Sequence, residues 1–153
     1  MKMLVCVDGS EQSQKALEKA LLLAEGSNID EVGLIHVYEG HLQLSASVWG
    51  GRDFSITEEE LNYLRKVHED QKQVREEVLQ EGKKAFEAKN IKVTTFLEEG
   101  HPAHTIVEVA ARDDYDFIVI GSRGLGGLQK LFLGSVSNAV AQEAKNCSVI
   151  IVK

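Results

Sequence analysis

The sequence predicts an α/β fold: one domain over residues 1–153, built on an open parallel five-stranded sheet with helices on both faces. Three observations carry this. Short apolar runs alternate with amphipathic helical segments in the order βαβαβαβαβ, and right-handed crossovers between parallel strands place helices on both faces. The runs are close to continuously apolar, as strands buried on both sides are. Neither an internal repeat nor a Pro/Ser-rich linker divides the chain.

Met3 to Val7 is the first such run. Asp8-Gly9-Ser10 punctuates it, with Ser10 placed as a helix N-cap. Ala16, Leu17, Ala20, Leu21 and Ala24 follow at helical spacing, and Gly26 is the expected C′ glycine. Val32 to Tyr38 is the second strand. Glu39 to Thr57 has no sustained period, holds Gly40, Gly50, Gly51 and the only tryptophan, Trp49, and reads as a long surface loop.

From Glu58 to Asn90 the chain is densely charged, yet Leu61, Leu64, Val67, Val74, Val78, Ala85 and Phe86 recur at helical intervals. This predicts an amphipathic helix with one stripe toward the core and a solvated charged face. Ile91, Val93, Thr95 and Leu97 alternate as a third strand. Pro102 suits the first turn of a helix whose apolar face is Ala103, Ile106, Val107 and Ala110. Asp116 to Ile120 is a fourth strand ended by Gly121, Ser135 to Lys145 a helix, and Ser148 to Val152 the last strand. In open sheets of this kind ligands bind outside the strands' C-terminal ends where the strand order reverses. That points to the loops after Val7 and Ile120.

Charge narrows the partners. The chain has 17 basic and 24 acidic residues, a net charge of -7, which is not the basic footprint of a nucleic-acid or anionic-membrane binder. No apolar run approaches the roughly 20 residues that span a bilayer. The N-terminus meets Asp8 too early for a secretory signal. Cys6 and Cys147 lie in apolar strand-like runs, as buried free thiols of a cytoplasmic protein do.

The stretch from Gly121 to Ser137 carries the chemistry. Four of the chain's 13 glycines fall between 121 and 127, directly after a buried strand. Glycine permits positive φ and close backbone approach, and N–H groups turned into such a concavity bind anions. Ser135 and Ser137 open a helix whose free N–H groups and dipole favour phosphate. From Phe117 to Gln142 there is no acidic residue, while Arg123 and Lys130 are present: a local positive island. The Walker ending Gly-Lys-Ser/Thr is absent, and GxGxxG fails because Gln129 stands where its last glycine belongs.

Gly121-x2-Gly124-x9-Gly134-Ser135 resembles the ATP-binding pattern of the universal stress protein family. Asp8-Gly9-Ser10 with Ser13 and Ala16, Gly100-His101-Pro102 and the apolar C-terminal strand extend the likeness over nearly the whole chain. The resemblance implies a Rossmann-like, adenine nucleotide alpha hydrolase-like sheet holding ATP, or AMP or ADP as resident ligand, with any Mg2+ carried by the phosphates and no metal ligands from side chains. It places Asp8 on the ribose or adenine, the Val37 backbone on the adenine edge and Cys6 beside the base. Gly121, Gly124 and Gly134 line the phosphate path, with Ser135, Val136 and Ser137 donating to phosphate oxygens. Ile120 at the strand end and Gly127 in the glycine loop complete this set; Arg123 and Lys130 join it on charge. The resemblance also implies a homodimer through the last strand, Val149, Ile150, Ile151 and Val152.

His101 and His104, three apart without a cysteine or carboxylate at ligand spacing, read as surface histidines. Cys6 has no neighbouring base and reads as an inert thiol. Asp8 lacks the acidic partners of a phospho-acceptor. No catalytic residue is assigned. The expected function is nucleotide-dependent regulation in a stress response with little or no turnover. The alternatives are a slow ATPase or nucleotidyl-type enzyme, although HxGH and SGGxDS are absent, and a partner-recruiting module in which nucleotide is a structural ligand.

Overall fold

Strands and helices alternate along the chain in a computed structural model that describes residues 1–40, 57–124 and 133–153. They are β1 (Lys2–Cys6), α1 (Glu11–Gly26), β2 (Glu31–Tyr38), α2 (Glu58–Glu87), β3 (Lys92–Glu99), α3 (Pro102–Arg112), β4 (Phe117–Gly121), α4 (Ser135–Glu143) and β5 (Ser148–Val152). All strand pairs are parallel, in the order β3-β2-β1-β4-β5. The chain builds outward from β1 to β3, then returns to the other side of β1 with β4. The order therefore reverses between β1 and β4, and the loops after these two strands leave the sheet side by side.

Side-chain alternation along the buried strands divides the core into two layers. Met3, Val5, Val32, Leu34 and Val119 face α1 and α2, where they meet Ala16, Leu17, Ala20, Leu79 and Phe86. Leu4, Cys6, Ile35, Ile118 and Ile120 face α3 and α4, against Ala103, Ile106, Val109, Ala110 and Val140.

Helix starts follow local chemistry. Ser10 Oγ accepts from the Ser13 N–H at 3.1 Å, and Thr57 with Glu60 forms a reciprocal capping box at the start of α2. Pro102 is the first residue of α3, where its missing N–H costs nothing. The expected C′ role of Gly26 is not realised. Gly26 is the last helical residue and Ser27 the extended C-cap at φ -135°, so the chain runs straight toward β2 without a left-handed turn. The last helix likewise stops at Glu143, with Ala144 rather than Lys145 at its cap.

The second helix is continuous but only partly seated. Its buried residues are Leu79, Gly82 and Phe86, whereas Leu61 is 37% and Val74 59% exposed. The expectation that the whole apolar stripe faces the core is corrected here, and lengths explain it. Thirty helical residues span about 45 Å. The eight-residue strands beneath reach only about 26 Å, so the N-terminal half of α2 extends past the sheet. Residues 41–56, including Trp49, lie outside the described residues.

Candidate functional site

The β1–β2 ladder ends with the Val7 N–H donating to Ile35 O at 2.9 Å. Alternate residues of a parallel strand turn their N–H and C=O to the same side. Val37 therefore directs both groups past the end of that ladder, toward the cavity it lines. Beyond Val7 the chain turns through Gly9, whose φ of +79° is left-handed and suits glycine. Asp8 Oδ1 accepts from the Ser10 N–H at 3.0 Å, which holds its carboxylate at the turn.

The end of β4 is fastened differently. The Ser122 N–H donates to Val152 O at 2.6 Å, and Ser122 O accepts the Gly134 N–H at 2.7 Å and the Ser137 hydroxyl at 3.0 Å. The chain thus leaves and re-enters the site at one buried residue, with residues 123–133 between. Gly134 is the N-cap of α4 and gives it no side-chain cap. The N–H groups of Ser135, Val136 and Ser137 are left without intrahelical partners, in contrast to the capped starts of α1 and α2. Arg123 Nε is buried with no hydrogen-bond partner among the described residues.

These elements enclose a cavity of about 360 Å3 at the β1/β4 reversal. Cys6, Asp8, Val37, Ile120, Gly121, Arg123, Gly124, Gly134, Ser135, Val136 and Ser137 all line it. Gly127 and Lys130 fall outside the described residues. Six lining residues had no place in the sequence-based set: Val7, Ser13, Ile35, Pro102, Ile106 and Leu133. Ile35 was accessible to reasoning, since it shares a strand face with Val37. Pro102 and Ile106 were not, because the way α3 lies across the sheet is a tertiary fact. Asp8 is the one carboxylate and Arg123 the one cation among the described lining residues.

Two of the lining residues also hold the surrounding elements together. Gly121 does not serve a positive φ. A Cβ there would lie 2.8 Å from the carbonyl carbon and oxygen of Gln12, so this glycine lets β4 and α1 approach. The Ser137 hydroxyl donates to Ser122 O and Gly134 O. Its backbone N–H is what it offers the cavity.

Burial pushes the Cys6 thiol well above its ordinary pKa, and the nearby Asp8 charge adds to the effect. A thiol kept protonated is a poor nucleophile. Alkylation of the native protein, followed by mass spectrometry, is expected to label Cys147 before Cys6. In the folded state Cys6 keeps a proton that the unfolded chain releases near pH 9. Stability should thus be unaffected by this group below that pH and fall above it, by up to about 1.4 kcal/mol per pH unit. Denaturant titrations of a Cys6→Ala variant should lose that alkaline slope. On the opposite face of β2, burial and the Arg75 charge hold His36 below its usual pKa, opposed by Asp8. His101 and His104 are exposed, and no group of three metal-ligating side chains occurs among the described residues.

The sequence matches the universal stress protein family over residues 1–153. The chain belongs to that family. This universal stress protein is 33% identical over 152 residues to universal stress protein YxiE of Bacillus subtilis (strain 168), covering 99% of this chain and 98% of that one. Its fold is similar to that of the solved structure of hypothetical protein MJ0577, with a TM-score of 0.72 and 28% identity over 99% of this chain and 94% of that one. Two further solved relatives, each 23% identical, share the fold and hold ligands. One is a universal stress protein in complex with cAMP (TM-score 0.64, covering 100% of this chain and 96% of that one). The other is the universal stress protein from Archaeoglobus fulgidus in complex with dAMP (TM-score 0.62, 100% and 98%). No helix among the described residues is long and apolar enough to cross a membrane.

Proposed function

We propose that this universal stress protein binds an adenine nucleotide, ATP foremost, in the β1/β4 cavity, and that occupancy rather than turnover is its regulatory output. One observation carries the reading: an apolar slot at the strand ends opens onto an uncapped helix N-terminus. Cys6, Ile35, Val37, Ile106 and Ile120 supply the slot, which suits a purine, and the Val37 backbone is turned to meet the base edge. The free N–H groups of Ser135, Val136 and Ser137 suit phosphate oxygens, and the unpartnered Arg123 Nε supplies a further donor. The cavity volume lies within the roughly 300–1,000 Å3 of small-molecule sites. The relatives solved with cAMP and dAMP support the adenine preference. Asp8 is the one carboxylate among the described lining residues, so Mg2+ would arrive on the phosphates.

Calorimetric titration of ligand-free protein with ATP, ADP and AMP tests this. Saturable binding by at least one is expected. A folded, empty preparation that binds none would overturn the reading.

The same proposal includes a homodimer through β5, in a cytoplasmic protein whose two cysteines are free. This strand is at one edge of the sheet, and Val149, Ile150, Ile151 and Val152 are only half-buried within one chain. An apolar edge of this kind pairs readily with a second copy about a two-fold axis. Ser148 N–H and Val152 O bond toward β4, so the alternate residues Val149 and Ile151 turn their N–H groups outward. Ile151→Pro removes an outward donor while sparing the β4 ladder. Sedimentation velocity should show a dimer for the unmodified protein and a monomer for this variant; a dimer in both would exclude the β5 edge.

A further inference from the structure

We infer that Ser137 is a positioning residue of the nucleotide site: its buried hydroxyl aims the first turn of α4 at the ligand and does not itself bind phosphate. This rests on the nucleotide-binding reading above. Ser137 is 2% exposed. Its Oγ lies 3.0 Å from Ser122 O and 3.1 Å from Gly134 O. A hydroxyl has a single proton, and here it is shared between two backbone carbonyls. What remains on that oxygen is lone pairs, which repel an anion.

Those two carbonyls are the fastening points of the site. Ser122 O also accepts the Gly134 N–H, and Gly134 O accepts the Asn138 N–H at 3.0 Å, the first bond of the helix. Ser122 is in turn held to β5 by its own N–H on Val152 O. The hydroxyl therefore closes a triangle between the end of β4, the N-cap and the third helical residue. Without it, the Gly134 N–H to Ser122 O bond is a single strut about which the first turn can pivot. The three free N–H groups would still exist, but their direction toward the cavity would no longer be fixed. Electrostatic binding of this kind depends on donors that are oriented before the ligand arrives.

Ser137→Ala leaves neither carbonyl orphaned, since each retains a backbone donor, so the variant is expected to fold. Two measurements on the unmodified protein, Ser137→Ala and Ser137→Thr test the role. The first is amide hydrogen exchange of the Gly134 N–H in ligand-free protein. The second is calorimetric affinity for AMP, ATP and adenosine. In Ser137→Ala the Gly134 amide should exchange about tenfold faster, the expected loss of one hydrogen bond of ordinary strength. Affinity for AMP and ATP should fall about tenfold while adenosine changes less than about twofold, because only the phosphate meets α4. Ser137→Thr, which keeps the hydroxyl, should restore both readouts. Weakened AMP and ATP binding with an unchanged Gly134 amide would mean that the hydroxyl touches phosphate directly, and would overturn the inference. So would equal losses for adenosine and AMP, which mark a merely structural role, or no change in either readout. Failure of the unmodified protein to bind any of the three ligands would overturn the proposed function itself.

Discussion

Gly134→Asp should abolish binding of adenine nucleotides while changing the stability of the fold only slightly. Gly134 stands at the N-cap of α4 with φ -70° and ψ 160°, an extended conformation open to any residue. Aspartate is among the preferred N-caps, and its carboxylate accepts from the N–H groups two and three residues on, here Val136 and Ser137. These are the donors proposed for the phosphate, so the new side chain supplies the helix with an internal anion in place of an external one. A Cβ at this position would lie 3.3 Å from Arg123 Cα and 3.4 Å from Ser122 O, a fit that asks the loop to yield by a few tenths of an ångström. The cap gain over glycine is about a few tenths of a kcal/mol, and this crowding costs about 1 kcal/mol where the loop can yield. Binding changes far more. Two charge-assisted hydrogen bonds, at about 1.5–3 kcal/mol each, and the added repulsion between carboxylate and phosphate together predict a loss beyond about a hundredfold. Calorimetry should detect no saturable heat with ATP, while the thermal midpoint of the ligand-free variant stays within a few degrees. Gly134→Asn, which caps without charge, should fall between the two. Retained affinity in Gly134→Asp would remove the α4 N-terminus from the site.

That experiment separates two meanings of glycine which the sequence presents alike. Positions 121, 124 and 134 stand in one spaced pattern, and all three line the cavity at the sheet's reversal. Why each position is glycine was not readable from the pattern. Among the described glycines only Gly9 and Gly100 have positive φ, so the conformational argument fails for Gly121, Gly124 and Gly134. Each is a place of close approach, and to a different neighbour. Gly124 faces the Asp8 carboxylate, Gly134 faces Arg123 and Ser122, and Gly121 faces the backbone of α1.

The same division between what is local and what is tertiary runs through the rest of the chain. Apolar runs such as Met3 to Val7 and the turn chemistry at Ser10 are local, and the strand positions and the α1 N-cap follow from them. Periodicity predicted the second helix, yet could not say where the sheet beneath it ends; that depends on strand length and on β3 lying at the sheet edge. Serine at 137 reads equally as a ligand donor or as a pin. Only the position of Ser122 O, fifteen residues earlier in sequence and fixed by β4 and β5, supports the proposal that it is a pin. Net charge misleads in a related way. The total of -7 belongs largely to solvated helix faces, while the cavity has one carboxylate and one cation among its described lining residues.

Gly121→Val should be the most destabilising of the glycine substitutions in this pattern, and Gly121→Ala should already show the effect. A Cβ at Gly121 would lie 2.8 Å from the Gln12 carbonyl carbon and oxygen and 3.0 Å from Gln12 Cβ. The first two are backbone atoms of α1, so no rotamer change relieves the contact. The helix itself must move away from β4, and it is held by Ala16, Leu17 and Ala20, which are buried against β1 and β4 in the same core layer. Overpacking of this kind costs about 1–3 kcal/mol and more when backbone must shift. In a chain of this size each kcal/mol lowers the thermal midpoint by roughly 2–4 °C. Alanine should therefore lower it by several degrees and valine by more, and calorimetric scans of ligand-free protein measure both. Displacing α1 also displaces the Asp8–Ser10 turn and Ser13, so nucleotide affinity should fall together with stability. Gly124→Ala is the control that gives this result its meaning. There the nearest atom to the new Cβ is Asp8 Oδ2 at 2.7 Å, the free end of a side chain that can rotate. Its thermal midpoint should hardly change while ligand affinity falls. Equal stability losses at 121 and 124 would mean that β4 and α1 can separate freely, and that the glycine at 121 has some reason other than the contact with Gln12.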